Sequence, residues 1–213
     1  MKKALETIYT SHHKSERGEK FVLLGDERGT FLKTHVGTGK KVLDIGCRDG
    51  ALTSYYHTGN TVTGFDIDSE ALQRAKSTLG ISTIHGDLND TWNIEQEKFD
   101  VVVAAEVIEH LYYPESVLKK IAAVLTEEGM LLGTVPNAFS LKHRIRYFFL
   151  KKKGTPLEDP THINHFTVKE LEALLQKQFT EVHVMGIGRH DWLSRTFPQL
   201  FAFNLCFVAK KPL

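Results

Sequence analysis

Lys41-Val42-Leu43-Asp44-Ile45-Gly46-Cys47-Arg48-Asp49-Gly50 decides how the rest of the chain is read. Lys41 to Gly46 is a short apolar run that predicts a strand, and the glycines that follow mark a strand-to-helix junction. Glycine there lets the backbone turn tightly and approach a ligand closely. From this point outward, short apolar runs alternate with amphipathic stretches, the rhythm of a sheet with crossover helices. A helix is expected from Gly50 to His57, a second strand over Thr61 to Asp66, and a helix capped by Asp68 or Ser69 with Leu72, Ala75 and Leu79 on one face. Ser82 to His85 predicts a third strand. Phe99 to Ala105 is almost uninterrupted apolar sequence, the pattern of a strand buried on both faces of a parallel sheet.

Pro114 suits the first turn of a helix with Val117, Leu118, Ile121, Ala122 and Leu125 as its stripe, and Gly129 precedes a strand over Met130 to Val135. Thr167-Val168-Lys169-Glu170 fits a capping box opening a helix with Leu171, Leu174 and Leu175. Val182 to Ile187 and Leu200 to Ala209 are the last two expected strands. The rhythm breaks between Pro136 and Thr167. The chain therefore reads as one α/β domain over residues 1–213, with a helical lead-in over 1–39 and a cap insertion over 136–167.

Composition agrees with a single globular unit: 213 residues, 41% hydrophobic and 25% charged, excluding collagen-like, low-complexity and disordered classes. Cys47 and Cys206 are too few for a disulfide framework and too far apart for zinc-ligand spacing, which predicts a reducing, cytoplasmic setting. No apolar signal core opens the chain, and no run approaches the ~18 apolar residues of a membrane span. The net charge of +1 conceals an uneven distribution. Residues 1–41 carry 9 Lys/Arg against 5 Asp/Glu, residues 42–135 carry 6 against 15, and residues 136–213 carry 12 against 6. An acidic middle between basic ends points to different ligands for different parts.

Two carboxylates extend the glycine cluster. Asp66 ends the second expected strand, 22 residues after Asp44, where a carboxylate accepts from both ribose hydroxyls, and Asp87 follows the third, within reach of an adenine amino group. A nicotinamide fingerprint needs G-x-G-x-x-G, whereas here Gly46 is followed by Arg48, Asp49 and Gly50. Asp44 would also repel a pyrophosphate but attract a cationic sulfonium ligand.

With these motifs the chain resembles the class I S-adenosylmethionine-dependent methyltransferases. The resemblance rests on Val42 to Gly50, Gly64-Phe65-Asp66-Ile67-Asp68, Gly86-Asp87-Leu88 and Phe99 to Leu111, with Arg48 standing where that family usually has a third small residue. It implies a Rossmann-like, doubly wound seven-stranded sheet, six strands parallel and the last antiparallel. It also implies S-adenosylmethionine as cofactor, with Asp44, Gly46, Cys47 and Gly50 beside the methionine moiety. Asp66 and Ile67 would lie at the ribose, Asp87 and Leu88 at the adenine, and Glu106 at the methyl-transfer site. The branch most similar is that of the ubiquinone- and methionine-biosynthesis-associated methyltransferases.

Transfer to an acceptor needs alignment and removal of a proton. Glu106, Glu109 and His110 share one face if a helix or turn begins after the central strand. Two carboxylates and an imidazole suit a divalent metal, and the string resembles one found near a metal in ubiquinone O-methyltransferases and in small-RNA 3′-end 2′-O-methyltransferases. Relatives without metal carry it too, so no metal is assigned. His162 and His165 precede the capped helix and, with Glu106 and His110, are the candidate catalytic residues. Residues 142–153 hold six Lys/Arg, no acid and Tyr147-Phe148-Phe149-Leu150, which suits a flexible cap, peripheral membrane contact, a phosphate-binding patch or a solvated helix whose apolar side packs on the domain. The expected activity is methylation of a small-molecule acceptor at oxygen. RNA-end 2′-O-methylation and a non-catalytic, cofactor-binding partner subunit are the alternatives.

Overall fold

Parallel strands need connections that cross over the sheet, and the amphipathic stretches between the apolar runs supply them. The structure is a computed structural model and describes residues 22–92, 94 and 97–213. Its elements in chain order are α1 (Gly25–Val36), β1 (Lys41–Ile45), β2 (Thr61–Asp66), α2 (Ser69–Leu79), β3 (Ser82–His85), β4 (Phe99–Ala105), α3 (Pro114–Val124) and β5 (Leu125–Pro136). There follow α4 (Leu141–Phe148), α5 (Val168–Leu175), β6 (Phe179–Ile187), α6 (Asp191–Thr196), α7 (Pro198–Phe201) and β7 (Asn204–Pro212). The strands form one seven-stranded sheet in the order β3-β2-β1-β4-β5-β7-β6. All are parallel except β7, which runs antiparallel to both β5 and β6.

Alternate residues of each central strand point to opposite faces, and both faces are covered. Leu43, Val102 and Leu131 pack with Leu118 and Ile121 of α3 on one side. On the other, Val42, Val101, Val103 and Leu132 pack with Leu32 and Val36 of α1. Each such side chain contributes about 1.5–3 kcal/mol on burial, which is why the central strands read as continuous apolar runs. The helix starts are those the sequence marks. The Asp68 carboxylate accepts from the Glu70 and Ala71 amides, and Thr167 and Glu170 exchange both bonds of a capping box.

Three expectations need correction. The helix expected from Gly50 to His57 is only a 3₁₀ turn over Thr53–Tyr55. Thr53, Ser54 and Tyr55 are poor helix formers, and the Thr53 hydroxyl donates to Asp44 instead of facing a helix surface. Leu200 does not begin the last strand, because Pro198 opens α7 at its first turn and β7 starts at Asn204. The final position of the α3 stripe, Leu125, already belongs to β5, which pairs Leu125 with Phe99 and then slips so that Met130 pairs with Val101. Of the expected lead-in, α1 is described and residues 1–21 lie outside the described residues. The break between β5 and α5 contains α4 and a 3₁₀ turn over Pro156–Glu158.

The strand order reverses between β1 and β4, and β1 to β5 end at the same edge. Open α/β sheets bind ligands in the crevice at such a switch point.

Candidate active site

The backbone after β1 is built from residues in the left-handed region: Gly46 at φ 68°, Arg48 at φ 52° and Gly50 at φ 80°. A Cβ on Gly46 would meet Val107 Cγ2 at 2.5 Å, so conformation and space both demand glycine there. Arg48 holds its conformation through its amide, which donates to Asp66 Oδ2 at 2.8 Å. The Asp66 Oδ1 atom accepts from the Asp68 amide, so one carboxylate ties the first loop to the cap of α2.

Asp44 is buried at the end of β1. Its Oδ2 accepts from the hydroxyls of Thr53 and Tyr56, each at 2.6 Å. Burial nonetheless raises its pKa to about 6, against the lowering effect of those two bonds and with Asp66 adding to the rise. The same burial, with Asp44 and Asp66 nearby, pushes the Cys47 thiol well up and keeps it protonated. Asp87 Oδ1 accepts from the Asn89 amide and side chain. The Leu88 carbonyl accepts from Trp92 Nε1 and Lys120 Nζ.

A cavity of about 420 Å³ opens at this strand-end edge and continues past Glu106 to Thr155, Pro156 and His162 of the cap. Asp44, Gly46, Cys47, Asp66, Ile67, Asp87, Leu88, Glu106, His110 and His162 are on its wall. Gly50 and His165 are not. A Cβ on Gly50 would strike Leu79 of α2 at 2.5 Å, which makes Gly50 a packing position. His165 stands behind His162 with ring centroids 6.4 Å apart, and burial followed by His162 lowers its pKa.

Glu106 adopts φ 59° just past β4. Its Oε1 accepts from Thr134 Oγ1 at 3.0 Å and Asn204 Nδ2 at 2.7 Å, with Arg28 Nη2 at 3.8 Å. Arg28 is itself buried and donates from Nε to Thr134 Oγ1. The left-handed turn at Glu106 separates it from Glu109 and His110, so the face expected for Glu106, Glu109 and His110 does not form. The third member comes from the cap: ligand atoms of Glu109, His110 and His162 lie within 4.8 Å of one another. The Glu109 carbonyl accepts from the Ile163 and Asn164 amides, which fastens the cap to this turn. His110 Nδ1 contacts the Thr161 carbonyl and His162 Nδ1 the Pro156 carbonyl, each at 2.9 Å. A carbonyl only accepts, so each ring donates from Nδ1, and its second nitrogen, Nε2, lies 3.9 Å from Glu109 Oε1 in His110 and 3.7 Å from Asp159 Oδ2 in His162.

Arg28, Thr53, Tyr56, Thr134 and Asn204 have no motif of their own in the sequence. They reach the site from α1, from the 3₁₀ turn that Thr53 opens and Tyr56 closes, from β5 and from β7, and only the hydroxyl-bearing pair Thr53 and Tyr56, close after Asp44, left any local hint.

A family model described as a methyltransferase domain matches residues 18–180. The ubiquinone biosynthesis O-methyltransferase of Glaesserella parasuis serovar 5 is 38% identical over 115 residues, 49% of each chain. That of Klebsiella pneumoniae is 33% identical over 168 residues, covering 75% of this chain and 69% of the relative. The chain spans about half the length of the first curated relatives it matches. Among solved structures, a SAM dependent methyltransferase from Archaeoglobus fulgidus superposes with a TM-score of 0.66 at 18% identity, covering 96% of this chain and 99% of that one. That likeness is one of fold.

Proposed function

The chain belongs to the methyltransferase-domain family, and from that premise we propose that it is an S-adenosylmethionine-dependent methyltransferase that methylates a small molecule at a hydroxyl oxygen. The residues suit the donor. Gly46 keeps the backbone clear where a side chain would collide, and Asp44 sets a buried carboxylate at the strand end where a cation is attracted. Asp66 is held at the neighbouring strand end to meet a ribose, and Asp87 and Leu88 border the adenine position. When bound, S-adenosylmethionine supplies an electrophilic methyl group on a sulfonium.

The protein's share is alignment and proton handling. His162 supports the reading best: it lines the cavity, and with its Nδ1–H pinned by the Pro156 carbonyl, Nε2, 3.7 Å from Asp159 Oδ2, is the ring atom that would take the acceptor's hydroxyl proton. Glu106, clamped by Thr134 and Asn204, fixes the wall between the donor and acceptor ends. The names of the curated relatives support an oxygen acceptor of small size. Methyl transfer from labelled donor to phenols, sugars and RNA 3′ ends tests it. Transfer to a phenol or sugar is expected, and transfer confined to RNA ends would replace this reading with the RNA-end one.

The Glu109–His110–His162 grouping favours a second reading, in which the cluster holds a divalent cation. One carboxylate and two imidazoles, each oriented by a backbone carbonyl, form a suitable donor set. The cation would supply a Lewis acid that lowers the acceptor hydroxyl's pKa.

A further inference from the structure

We propose that His143 meets the methyl acceptor: its Nε2 accepts a hydrogen bond from an O–H or N–H of that molecule and so orients it in the cavity. The proposal rests on the small-molecule reading above and adds a specificity-determining residue to it.

In α4, Leu141, Ile145 and Phe148 stand at i, i+4 and i+7, the spacing that a helix on a globular domain normally turns toward the core. Here Ile145 is 52% exposed and Phe148 81%, while His143 is 3% exposed. The expectation that the apolar side of this segment packs on the domain is thus overturned. A polar ring is costly to bury unless its hydrogen bonds are made. One of the two is made. His143 Nδ1 donates to the Asn137 carbonyl at 3.0 Å, and Asn137 is itself buried, with Nδ2 donating to the carbonyls of Pro198, Gln199 and Ala202. This anchor fixes the ring and leaves the proton on Nδ1. Among the described residues no donor reaches Nε2, and protein atoms do not enclose it. The ring lines the cavity, so the little surface it exposes opens there.

Its place in the fold suits the acceptor and not the donor. Phe203 meets the ring edge to face with centroids 6.5 Å apart and lines the same cavity, and the next residue, Asn204, donates to Glu106 Oε1. α4 follows β5 and Phe203 precedes β7, so the ring stands on the β5–β7 side, away from the carboxylates at the ends of β1 to β3. Burial lowers the His143 pKa from 6.5, against the bond to Asn137 and with Lys142 and Arg146 adding to the fall. The ring is therefore neutral at pH 7, with a lone pair on Nε2. A lone pair takes a hydrogen bond from an O–H or N–H and repels a carboxylate or phosphate oxygen. This point on the wall thus admits a hydroxyl where Lys142 and Arg146 alone would favour an anion.

The contact with Asn137 is a structural role, and two variants separate it from the proposed one. His143→Asn sets its amide near the position of Nδ1, so it keeps the bond to Asn137 and reaches no further. His143→Gln sets its amide near the position of Nε2 and keeps a hydrogen-bond acceptor toward the cavity. The probe is the phenol or sugar that the wild-type protein methylates fastest. His143→Asn should raise the KM for it at least roughly tenfold, and His143→Gln should stay within about threefold of wild type. Calorimetric affinity for S-adenosylhomocysteine should be unchanged in both. Nitrogen NMR of the wild-type complex with S-adenosylhomocysteine at pH 7 should show His143 neutral, with its proton on Nδ1. An imidazolium at His143, a wild-type KM in His143→Asn, or equal impairment of the two variants would overturn the proposal and leave the small-molecule reading standing. Transfer by the wild-type protein to no phenol or sugar would overturn that reading, and this proposal with it.

Discussion

Replacing Asp44 with Asn should stabilise the free protein at neutral pH while abolishing its binding of the methyl donor. Burial raises the Asp44 pKa from 3.8 to about 6, so the folded chain keeps a proton that the unfolded chain has released. Between about pH 4 and pH 6 the native state therefore binds more protons, and stability falls as pH rises through that window. Two pKa units at 1.36 kcal/mol each put the cost of an ionised Asp44 at pH 7 at up to about 3 kcal/mol. An asparagine side chain removes the charge while its oxygen still accepts from Thr53 and Tyr56, the two hydroxyls that meet at Asp44 Oδ2. Urea unfolding of Asp44→Asn should show a gain of about 1–3 kcal/mol at pH 7 that shrinks toward zero near pH 4. With saturating donor the order should reverse, because the wild-type carboxylate then has a cationic partner and the amide has none. A variant less stable than wild type at pH 7, or an offset identical at pH 4 and pH 7, would refute this account of the buried charge.

Other consequences follow from the same geometry. Asp66→Ala should weaken donor binding by about 1.5–3 kcal/mol in calorimetry, the scale of lost charge-assisted hydrogen bonds, and an unchanged affinity would remove Asp66 from the site. His162→Gln should lower kcat by about 10²–10⁴ with donor affinity unaltered, which single-turnover kinetics against equilibrium binding will separate. If the Glu109, His110 and His162 cluster holds a cation, excess chelator should abolish transfer and Mg²⁺ or Mn²⁺ should restore it; full activity in chelator makes the cluster a structural contact between cap and motif. Hydrogen exchange should find amides of α4 and the Pro156–Glu158 turn exchanging faster than those of β4, as befits a segment with an exposed apolar face beside a strand buried on both sides.

The strand-end half of the candidate site was legible because local rules govern it. Strand ends, glycine turns and capping residues act over a few residues, so Asp44, Gly46, Asp66 and Asp87 could be placed at one sheet edge from spacing alone. Their placement needs only the parallel crossover rule, which sends every strand's C-terminus to the same side. The capping box at Thr167 and the cap at Asp68 were readable for the same reason. The half beside the cap was less legible. Spacing grouped Glu106 with Glu109 and His110, but one residue at φ 59° turned Glu106 toward Thr134 and Asn204. Its place was taken by His162, about fifty residues away, because the Glu109 carbonyl binds the cap's backbone at Ile163 and Asn164.

From the sequence by itself came the layered α/β architecture, the order of its elements and the carboxylates gathered at the strand ends, since each depends on periodicity and turn chemistry within a short stretch. Tertiary structure alone decided which side chains face one another across elements. It carried Arg28 from α1 and Asn204 from β7 to the same carboxylate, and it turned the apolar stripe of α4 outward by burying His143 in its stead. An apolar stripe records that a helix has two sides. Which side meets the core is settled by the packing of the whole domain, and here that packing leaves the stripe in water.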